Sequence, residues 1–469
     1  MLTFKEFDPD DFFCQRWINS YGEEVHIARS VRWENVATSL PSEGLAGILP
    51  AAEVCIDGFK DFMLHPDRWL KPVSARAWMR PPRVQVPPDA WREVVSGLLQ
   101  RQICGIMPLS EAFKVGGQPI LGGLFGVPKN ETTPDGIEVL RLIMDLRPIN
   151  ENFLPLGGDL STLPVISQMA QLEVHPSEGI VISSEDIRAM FYIIGVPPVW
   201  NKFLGFSRPI PRDMRPEGAH EEYILYSKVL PMGFLNSVAV AQHLHRQIIG
   251  RAFGTSMNFG QEIRRDRELP SSSQFFRVYL DNFDLLSVHS KGILADEHDC
   301  LIHKLRDTYS ELGIPRNEKK AVEAAEAAEM QGAWIDGEKG ICSPKTDKVG
   351  KYLTALVYVL GNRNVTQKQM QMLAGGLVYM FSYRRPLMAN LNEIWKFISG
   401  FSNDRKYMPL PTSVAQEIWA SFFLSCFSYM DFRLPTDSVV TASDASESGG
   451  AWWPQWVSRS GAPKSLRGP

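Results

Sequence analysis

Two acidic residues that are far apart in the sequence each interrupt or end an apolar run, and together they could bind one metal site. Asp186 closes the stretch "GIVISSED", and Asp281 lies in "FFRVYLDNFDLLSV" (275–288), between two apolar runs. Magnesium prefers a few carboxylates together with phosphate oxygens and water, so carboxylates from separate strands must converge to bind it. If the two strands are neighbours in one sheet, both carboxylates point into the same cleft.

The Asp281-Asn282 pair also has a purely structural interpretation. Short β-branched and aromatic runs around a two-residue Asx break are typical of a tight β-hairpin. Asp and Asn tolerate turn geometry better than most residues, so the pair taken alone favours a scaffold turn. The chemical interpretation therefore depends on the rest of the chain.

The elements that must position these residues are predicted from hydrophobic periodicity. Residues 178–196 and 275–288 are predicted as buried strands, and residues 235–252 and 295–312 as helices. In "KKAVEAAEAAEM" (319–330) three glutamates recur every third residue. Propensity predicts a solvated helix there, with a strand as the alternative if tertiary context overrides it.

Nearer the N-terminus, a helix is predicted from "DAWREVVSGLLQRQICGI", with Asp89 as its N-cap. The Pro-heavy stretch before it, "VSARAWMRPPRVQVPPDA", is typical of an extended linker. His243 and His245 have no matching acids nearby in the sequence, so they are interpreted as residues on a helix surface.

Composition places the chain among soluble globular proteins. Its length of 469 residues is enough for two to four domains. Of these residues, 44% are hydrophobic and 22% are charged, which is typical of soluble globular proteins. The net charge of −4 gives no global signal for nucleic acid, so such a surface must be local. The six cysteines are scattered, and no signal peptide or apolar span is present, so we expect an intracellular protein, cytoplasmic or nuclear, without a membrane partner.

Six motifs follow one another in an order that is informative about family. They are "GVPKNETTPDGIEVLRLIMDLRPIN" (126–150), "SSEDIRAMFYIIGVPP" (183–198), "VLPMGFLNSVAVAQ" (229–242), "VYLDN" (278–282), "LGIPRNEKK" (312–320) and "MQGAWID" (330–336). Together they resemble the reverse transcriptases of retroelements and retroviruses over roughly residues 90–400. One such motif means little, but six in the family's order at compatible spacing are a specific signal.

The resemblance implies an α+β right-hand polymerase with fingers, an antiparallel palm sheet and a thumb. We expect an N-terminal extension of unknown role over 1–90, fingers and palm over 91–340, thumb and helical connection over 341–432, and a truncated ribonuclease H-like start over 433–469. In that last part, "VVTASDASESGGAWWPQW" (439–456) resembles the opening of a ribonuclease H domain, with Asp444 as its first metal-binding acid. The further acids of that fold do not follow, so no ribonuclease H activity is expected.

The resemblance also assigns catalytic roles. Asp186 and Asp281 match the family's metal-binding acids, which hold two Mg²⁺ (or Mn²⁺) ions for nucleotidyl transfer. Lys319 or Lys320 corresponds to the palm lysine that assists proton transfer to pyrophosphate, and we assign Lys320. Asn282 departs from the family, which usually has a second Asp there. The missing charge, at about 4 Å and an effective dielectric near 20, removes at most about 4 kcal/mol, or roughly three orders of magnitude in rate.

Five other residues match the family's nucleotide site. Lys129 and Arg141 correspond to the fingers cations that hold the triphosphate, and Phe191 to the aromatic residue that excludes a 2′-hydroxyl. Gly233 is expected to let the backbone approach nucleotide and template closely. Met232 stands where the family typically has Gln. The alternative for each is ordinary structure: a solvated lysine, a core phenylalanine, or, for Asn236 and Ser237, helix caps.

A basic segment follows the predicted palm. Residues 343–408 contain ten Lys or Arg and three Asp or Glu, a balance of +7. The resemblance interprets this segment as a thumb that tracks the primer–template backbone, while a solvated basic face is the alternative.

These observations predict an RNA-directed DNA polymerase that adds deoxynucleoside triphosphates to a primer on an RNA or DNA template. Two alternatives remain open. One is a decayed or domesticated copy that binds RNA or RNA–DNA without chemistry, which Asn282, Met232 and the incomplete ribonuclease H start favour. The other is an RNA-templated RNA polymerase.

Overall fold

A computed structural model describes residues 28–291, 296–403, 406–434, 439–446 and 449–456, together with Phe12. The segments 439–446 and 449–456, Asn130, Asp296 and Glu297 are described by their backbone alone. Within these ranges, no helix has both the length and the apolar character that a membrane crossing requires.

The architecture mixes helices with mainly antiparallel strands. The helices are α1 (Trp33–Val36), α2 (Ala51–Val54), α3 (Asp57–Leu64), α4 (Trp91–Gln100), α5 (Arg147–Asn150), α6 (Met190–Ile193), α7 (Ser237–Phe253), α8 (Asp296–Glu311), α9 (Thr346–Asn362), α10 (Gln367–Phe381), α11 (Asn392–Ser399) and α12 (Thr412–Leu424).

The strands of the first half of the chain are β1 (Leu49–Pro50), β2 (Cys104–Pro108), β3 (Lys114–Val115), β4 (Gln118–Pro119), β5 (Gly123–Thr132), β6 (Glu138–Asp145), β7 (Glu178–Asp186), β8 (Ile194–Gly195), β9 (Gly205–Pro209) and β10 (Tyr223–Ser227). Those of the second half are β11 (Gln274–Tyr279), β12 (Asn282–Ser290), β13 (Val322–Ala325), β14 (Ala327–Met330), β15 (Ala333–Asp336), β16 (Ile341–Pro344), β17 (Asn364–Val365), β18 (Met408–Pro409), β19 (Met430–Asp431), β20 (Val439–Ser446) and β21 (Gly449–Trp456).

The central sheet has the strand order β11-β12-β7-β13, and all of its pairs are antiparallel. Its strands are rich in β-branched and aromatic residues, which fit a pleated, buried surface. Side chains alternate between the two faces. Phe276, Phe283 and Leu285 enter a core on one face, and Phe275 and Leu286 enter a different core on the other. The sheet is therefore covered on both sides.

The first core is the largest, and it uses residues from Val31 to Ile314. The N-terminal region contributes Val31, Leu49 and Phe62, none more than 1% exposed. Residues 28–90, which the sequence leaves without a role, thus pack in the same core as helices α4 and α7. The domain boundaries expected from the sequence stay predictions.

A second four-stranded sheet, β14-β15-β16-β19, packs against the other face of the central sheet and shares a core with it. Beyond it, helices α9 to α12 enclose a separate helical core. Helix α10 begins at a capping box, because the Thr366 hydroxyl accepts from Gln369 N at 3.2 Å and the Gln369 side chain accepts from Thr366 N at 2.9 Å.

The last described element is the hairpin of β20 and β21, in which Asp444 pairs with Ala451. The ribonuclease H-like character of this stretch stays a prediction. The side chain of Asp444 lies outside the described part of the chain, so its predicted metal-binding role stays a prediction.

Two local predictions are wrong. The segment 322–330 forms strands β13 and β14 rather than a solvated helix, which confirms the strand alternative, because pairing with β7 and β15 overrides the helical propensity of Ala and Glu. Helix α4 begins at Trp91 with Ala90 as its N-cap. Asp89 instead forms an ion pair with Arg32 at 2.8 Å.

Candidate active site at the edge of the central sheet

The turn between β11 and β12 carries the first predicted acid. Tyr279 pairs directly with Asn282, so the two turn residues are Leu280 and Asp281. The sequence had assigned the turn to Asp281 and Asn282, one residue later. Leu280 adopts a φ of +53°, a left-handed conformation that is unfavourable for a residue with a side chain. The turn is tight and strained, and it lifts Asp281 beyond the last rung of the sheet.

The second acid lies directly beside this turn. Asp186 ends β7 and is the cross-strand partner of Asn282, and the next backbone amide, Ile187 N, donates to the Asp281 carbonyl at 2.9 Å. Asn282 Nδ2 donates to Asp281 Oδ1 at 3.1 Å. Burial, followed by the nearby Asp186 carboxylate, raises the pKa of Asp281. Adjacent strands thus bring together two like-charged groups that the sequence separates by almost a hundred residues.

Two cations face these carboxylates. Lys320 Nζ lies 3.1 Å from Asp186 Oδ2, while 64% of the lysine side chain stays exposed. Of the two adjacent lysines considered from the sequence, Lys320 is the one that contacts Asp186. Arg141, exposed on β6, acts together with Lys320 to lower the pKa of Asp281 and so opposes the effect of burial.

The remaining predicted cation, Lys129, forms its ion pair with a different carboxylate. Lys129 lies on β5, in the irregular stretch between Pro128 and Thr132, on the same hairpin as Arg141. Its ammonium pairs with Glu131 at 3.0 Å. In the described ranges it has no ion pair with Asp186 or Asp281, so its assignment stays a prediction.

Phe191 and Met232 are both partly buried and pack against the first core. Phe191 lies in α6, which follows Ala189 at a left-handed φ of +54° and therefore leaves β7 by a sharp turn. Neither residue is fully buried, and each keeps some surface available to a ligand.

Gly233 is required by the protein itself. A Cβ at this position would collide with the carbonyl oxygen of Met144 on β6. Asn150 fixes the same loop, since its Nδ2 donates to Gly233 O at 2.9 Å and its Oδ1 accepts from Leu235 N at 2.8 Å. The backbone of Gly233 is thus packed closely on strand β6, and its approach to nucleotide and template stays a prediction.

Asn236 and Ser237 are buried and hold neighbouring backbone. Asn236 Oδ1 accepts from Leu156 N at 2.8 Å, and its Nδ2 donates to Leu154 O at 3.0 Å. Asn236 is the N-cap residue of α7, but its side chain makes no capping hydrogen bond. Its polar atoms anchor the loop at residues 154–156 instead.

Helix α7 supports the strained turn from below, which the sequence did not predict. Gln242 accepts from Leu280 N and donates to Val278 O, both at 2.9 Å. His245 Nδ1 donates to the Leu280 carbonyl, and its Nε2 accepts from the Tyr309 hydroxyl at 2.6 Å. Burial lowers the pKa of His245 to about 4, which keeps the imidazole neutral near pH 7.

The prediction that His243 and His245 lie on the helix surface is wrong, because they are 5% and 0% exposed. His243 stacks on Phe59 with ring centroids 4.0 Å apart and contacts Asp159 Oδ2 at 2.8 Å. A helix that is packed on several sides buries polar residues as well, provided that they find hydrogen-bond partners.

A buried ion-pair cluster fixes the strand end from the opposite face of the sheet. Glu185, next to Asp186, has a side chain with no exposed surface. It accepts from Arg306 Nε at 2.6 Å and from Arg316 Nε and Nη2, both at 2.8 Å. Since Glu185 and Asp186 point to opposite faces, this cluster anchors β7 without entering the candidate site.

Asp284, the second acid in the stretch 275–288, does not join the site. It lies two residues beyond Asn282 and is 4% exposed. Its carboxylate accepts from Arg277 Nε at 2.7 Å and from Ser184 Oγ at 2.5 Å. These contacts hold it within the core that the two sheets share.

Comparison with known protein families gave no match, and comparison with curated proteins gave none either. Solved structures do match. One, the foamy viral protease-reverse transcriptase dRH in complex with ds DNA, is similar with a TM-score of 0.51 and 14% sequence identity, over 86% of this chain and 64% of that one. A second, the foamy viral protease-reverse transcriptase in complex with an RNA/DNA hybrid, has a TM-score of 0.49 and 14% identity, over 82% of this chain and 45% of that one.

This chain has a reverse-transcriptase-like fold. The similarity rests on the first structure, and at 14% identity it describes the fold alone. The chain spans less than two thirds of the length of either of those proteins. The finer division into fingers, palm and thumb stays a prediction.

The donor set of this reverse-transcriptase-like chain fits divalent cations. Within the described residues no group of three or more His, Cys, Asp or Glu side chains could enclose a metal ion. Two converging carboxylates, with the Asn282 side chain beside them, instead match the few protein ligands that magnesium takes when phosphates and water complete its shell. Burial and then the Asp186 carboxylate raise the pKa of Asp281, and Lys320 and Arg141 oppose this shift.

The cations of the basic segment predicted from the sequence are largely solvent-exposed, on helices α9 to α11 and the loops between them. Lys345 pairs with Glu329, and Lys396 pairs with Glu393 at 2.7 Å. The other exposed cations of this segment in the described ranges are Lys348, Lys351, Arg363, Lys368, Arg384, Arg385 and Lys406.

Proposed function

We propose that this protein is an RNA-directed DNA polymerase that adds deoxynucleotides to a primer on an RNA or DNA template. The observation that carries the proposal is the meeting of Asp186 and Asp281 at one edge of the central sheet, within a reverse-transcriptase-like fold. A similar fold has been solved as a complex with ds DNA, which supports a nucleic-acid partner for this chain.

In this proposal Asp186 and Asp281 hold two Mg²⁺ or Mn²⁺ ions. When bound, such ions lower the pKa of the primer hydroxyl and neutralise the charge that develops on the phosphates. The chain's own contribution is to hold both carboxylates in alignment at the edge of the sheet. Helix α7 fixes the turn that carries Asp281, and the Glu185 cluster fixes the strand end that carries Asp186.

Lys320 is well placed to act as the general acid in this reaction. It contacts Asp186 through an exposed ammonium, so it can turn toward an incoming triphosphate and donate to the departing pyrophosphate. Arg141 provides a planar, permanently charged group for the phosphates, and Lys129 a second cation on the same hairpin.

Phe191 is proposed to pack under the deoxyribose and to exclude a 2′-hydroxyl by repulsion. Met232 and Gly233 would line the nucleotide site from the loop before α7. For Gly233 this role comes second to its packing on Met144, so a substitution there would also disturb β6.

The duplex partner is a primer–template, and the exposed cations of residues 343–408 would contact its phosphates without reading sequence. Asn282 is compatible with chemistry. Its amide donates to Asp281 and so steadies that carboxylate, although it adds no negative charge.

Primer extension by the purified protein tests the proposal. Wild type should extend a DNA primer on an RNA template with dNTPs and Mg²⁺, and Asp281→Ala should abolish extension. Asp307→Ala, an exposed aspartate on α8, is the matched control and should extend normally. Binding of the same primer–template is measured in parallel. Binding without any metal-dependent extension by wild type would leave the non-catalytic RNA or RNA–DNA binder as the function.

The same assay separates DNA from RNA synthesis. Wild type should reject ribonucleotides, and Phe191→Ala should admit them. An unchanged preference in Phe191→Ala, with ribonucleotides incorporated by wild type, would favour the RNA polymerase alternative.

A further inference from the structure

The N-terminal region contains a basic loop for which the proposed activity gives no role. It comprises residues 71–83, "KPVSARAWMRPPR", and we call it the basic loop. The loop has four cations, Lys71, Arg76, Arg80 and Arg83, and no acidic residue. An exposed aromatic residue among cations is typical of surfaces that bind single-stranded nucleic acid.

The side chains at the centre of the loop face solvent. Trp78 is 47% exposed and Met79 39% exposed, and Arg80 and Arg83 are exposed as well. A tryptophan left this open beside two arginines provides a flat surface for stacking and cations for phosphates.

The loop is nevertheless firmly held. Asn152, which is fully buried, accepts from Ala77 N at 3.0 Å and donates to Ala77 O at 2.9 Å, so it fixes the residue before Trp78 on both sides. Arg76 Nε donates to Lys71 O at 2.8 Å. At the other end, a Cβ at Gly123 would lie 2.5 Å from Arg83 O, so the chain there is packed closely on β5. A rigid, preorganised loop loses little conformational entropy on binding.

Most of the loop's positive charge is uncompensated. Lys71 pairs with Glu151 at 3.1 Å. In the part of the chain that the structure describes, no ion pair involves Arg76, Arg80 or Arg83. The acids that flank the loop are already engaged, Asp67 by Lys202 at 2.8 Å and Asp89 by Arg32 at 2.8 Å. The exposed Arg80 and Arg83 are thus available to phosphates.

The loop lies next to the proposed template side of the active site. Asn150 holds the loop of Gly233 and Leu235, and Asn152, two residues further along, holds Ala77 of the basic loop. One short segment at the end of α5 thus anchors both loops. The basic loop and the Gly233 loop are therefore held by residues only two positions apart.

We propose that the basic loop binds single-stranded nucleic acid, namely the unpaired template ahead of the primer terminus. One base stacks on Trp78, and adjacent phosphates contact Arg80 and Arg83. This inference rests on the proposed function for the direction of the template, but the binding itself requires neither metal nor catalysis.

The test uses fluorescence anisotropy with the full chain in EDTA. The probes are a labelled blunt duplex and the same duplex with a ten-nucleotide template overhang, made as RNA and as DNA. Wild type should bind the overhang probes more tightly than the blunt one. Trp78→Ala should weaken overhang binding by about 5- to 100-fold and leave blunt binding unchanged. Arg80→Ala should reduce the slope of log K against log salt by about 0.7 on the overhang probes.

Trp419→Ala is the matched control, because Trp419 is also 47% exposed but lies on α12. It should bind every probe as wild type does, and thermal melting of all variants should verify folding. Equal affinity of wild type for blunt and overhang probes, or equal loss on both probes in Trp78→Ala, would overturn this inference and leave the polymerase proposal standing. Failure of wild type to bind any probe would overturn both. Overhang-dependent binding without extension would uphold this inference alone.

Discussion

His245 holds the carbonyl of Leu280, so a buried imidazole fixes the residue that precedes the proposed metal ligand Asp281. The same ring accepts from Tyr309 on α8, which links two helices to one strained turn. Because Leu280 adopts a left-handed conformation, these hydrogen bonds favour a geometry that the isolated hairpin would avoid.

His245→Phe should therefore destabilise the protein and slow extension. It leaves the Leu280 carbonyl and the Tyr309 hydroxyl without their partner, at about 1–3 kcal/mol for each buried polar group. Extension should fall at least tenfold, because Asp281 loses its alignment. The control is His243→Phe, on the same helix and similarly buried, which contacts Asp159 instead of the turn. Urea unfolding and single-turnover extension at 25 °C should show a stability loss in both variants and a rate loss in His245→Phe only. Equal rate losses in the two would contradict this role.

Stability should decrease as the pH falls below about 6.5. His245 has a folded pKa of about 4, below its ordinary value of 6.5, so the unfolded chain takes up the proton at higher pH than the native protein does. The stability is fully present above pH 6.5 and is lost as the pH falls toward 4. At pH 5 this single group should lower the free energy of unfolding by about 2 kcal/mol relative to pH 7.5. Urea titrations at pH 7.5 and 5.0 should show that wild type loses about this much more than His245→Phe.

Glu185→Gln should be one of the most destabilising single substitutions in the central sheet. It leaves Arg316 without its buried carboxylate partner and Arg306 with only the exposed Glu323, for which about 3–5 kcal/mol is expected. Glu323→Gln is the matched control, because Glu323 pairs with the same Arg306 at 3.1 Å but is 60% exposed. That variant should lose less than about 1 kcal/mol. Comparable losses in urea unfolding would show that the Glu185 cluster does not anchor β7.

Lys320→Met should slow nucleotide addition by about 100-fold or more while changing stability little. The expected rate loss is that of removing a general acid. The exposed pair with Asp186 contributes about 0–1 kcal/mol to folding. Lys319→Met, at the adjacent exposed lysine, should retain normal rates in single-turnover extension. A loss confined to Lys319→Met would reassign the proton donor.

Asn282→Asp should accelerate extension, by up to roughly three orders of magnitude, because it restores a carboxylate opposite Asp186. Without divalent ions the added charge should lower the melting temperature, and Mg²⁺ should raise it by more than in wild type. Asn258→Asp, in an exposed turn earlier in the chain, controls for the change of charge. A variant that is no faster and shows no added Mg²⁺ response would count against metal binding at this edge.

The sequence predicted what depends on local pattern. Strands β11 and β12 and helices α7 and α8 lie close to their predicted ranges, and Asp186 and Asp281 are neighbours as expected. These are the parts of the chain in which apolar periodicity and motif order agree. The strand predicted over 178–196 was too long, because β7 ends at Asp186 and helix α6 follows it.

Tertiary partners decided the rest. The glutamates of residues 322–330 recur with helical spacing, yet two sheets recruit this stretch as strands. His245 and Glu185 have no motif, because their roles arise from contacts with Leu280, Arg306 and Arg316. The exact turn residues could not be read either, since a left-handed Leu280 is a conformation that propensity disfavours.

The burial of Val31, Leu49 and Phe62 in the first core has a practical consequence for producing this protein. A recombinant version trimmed to the recognisable motifs, beginning near residue 91, would leave an apolar cleft along α4 and α7 open to water. Such a fragment should aggregate on expression, and its inactivity would then reveal nothing about the acids at the sheet edge.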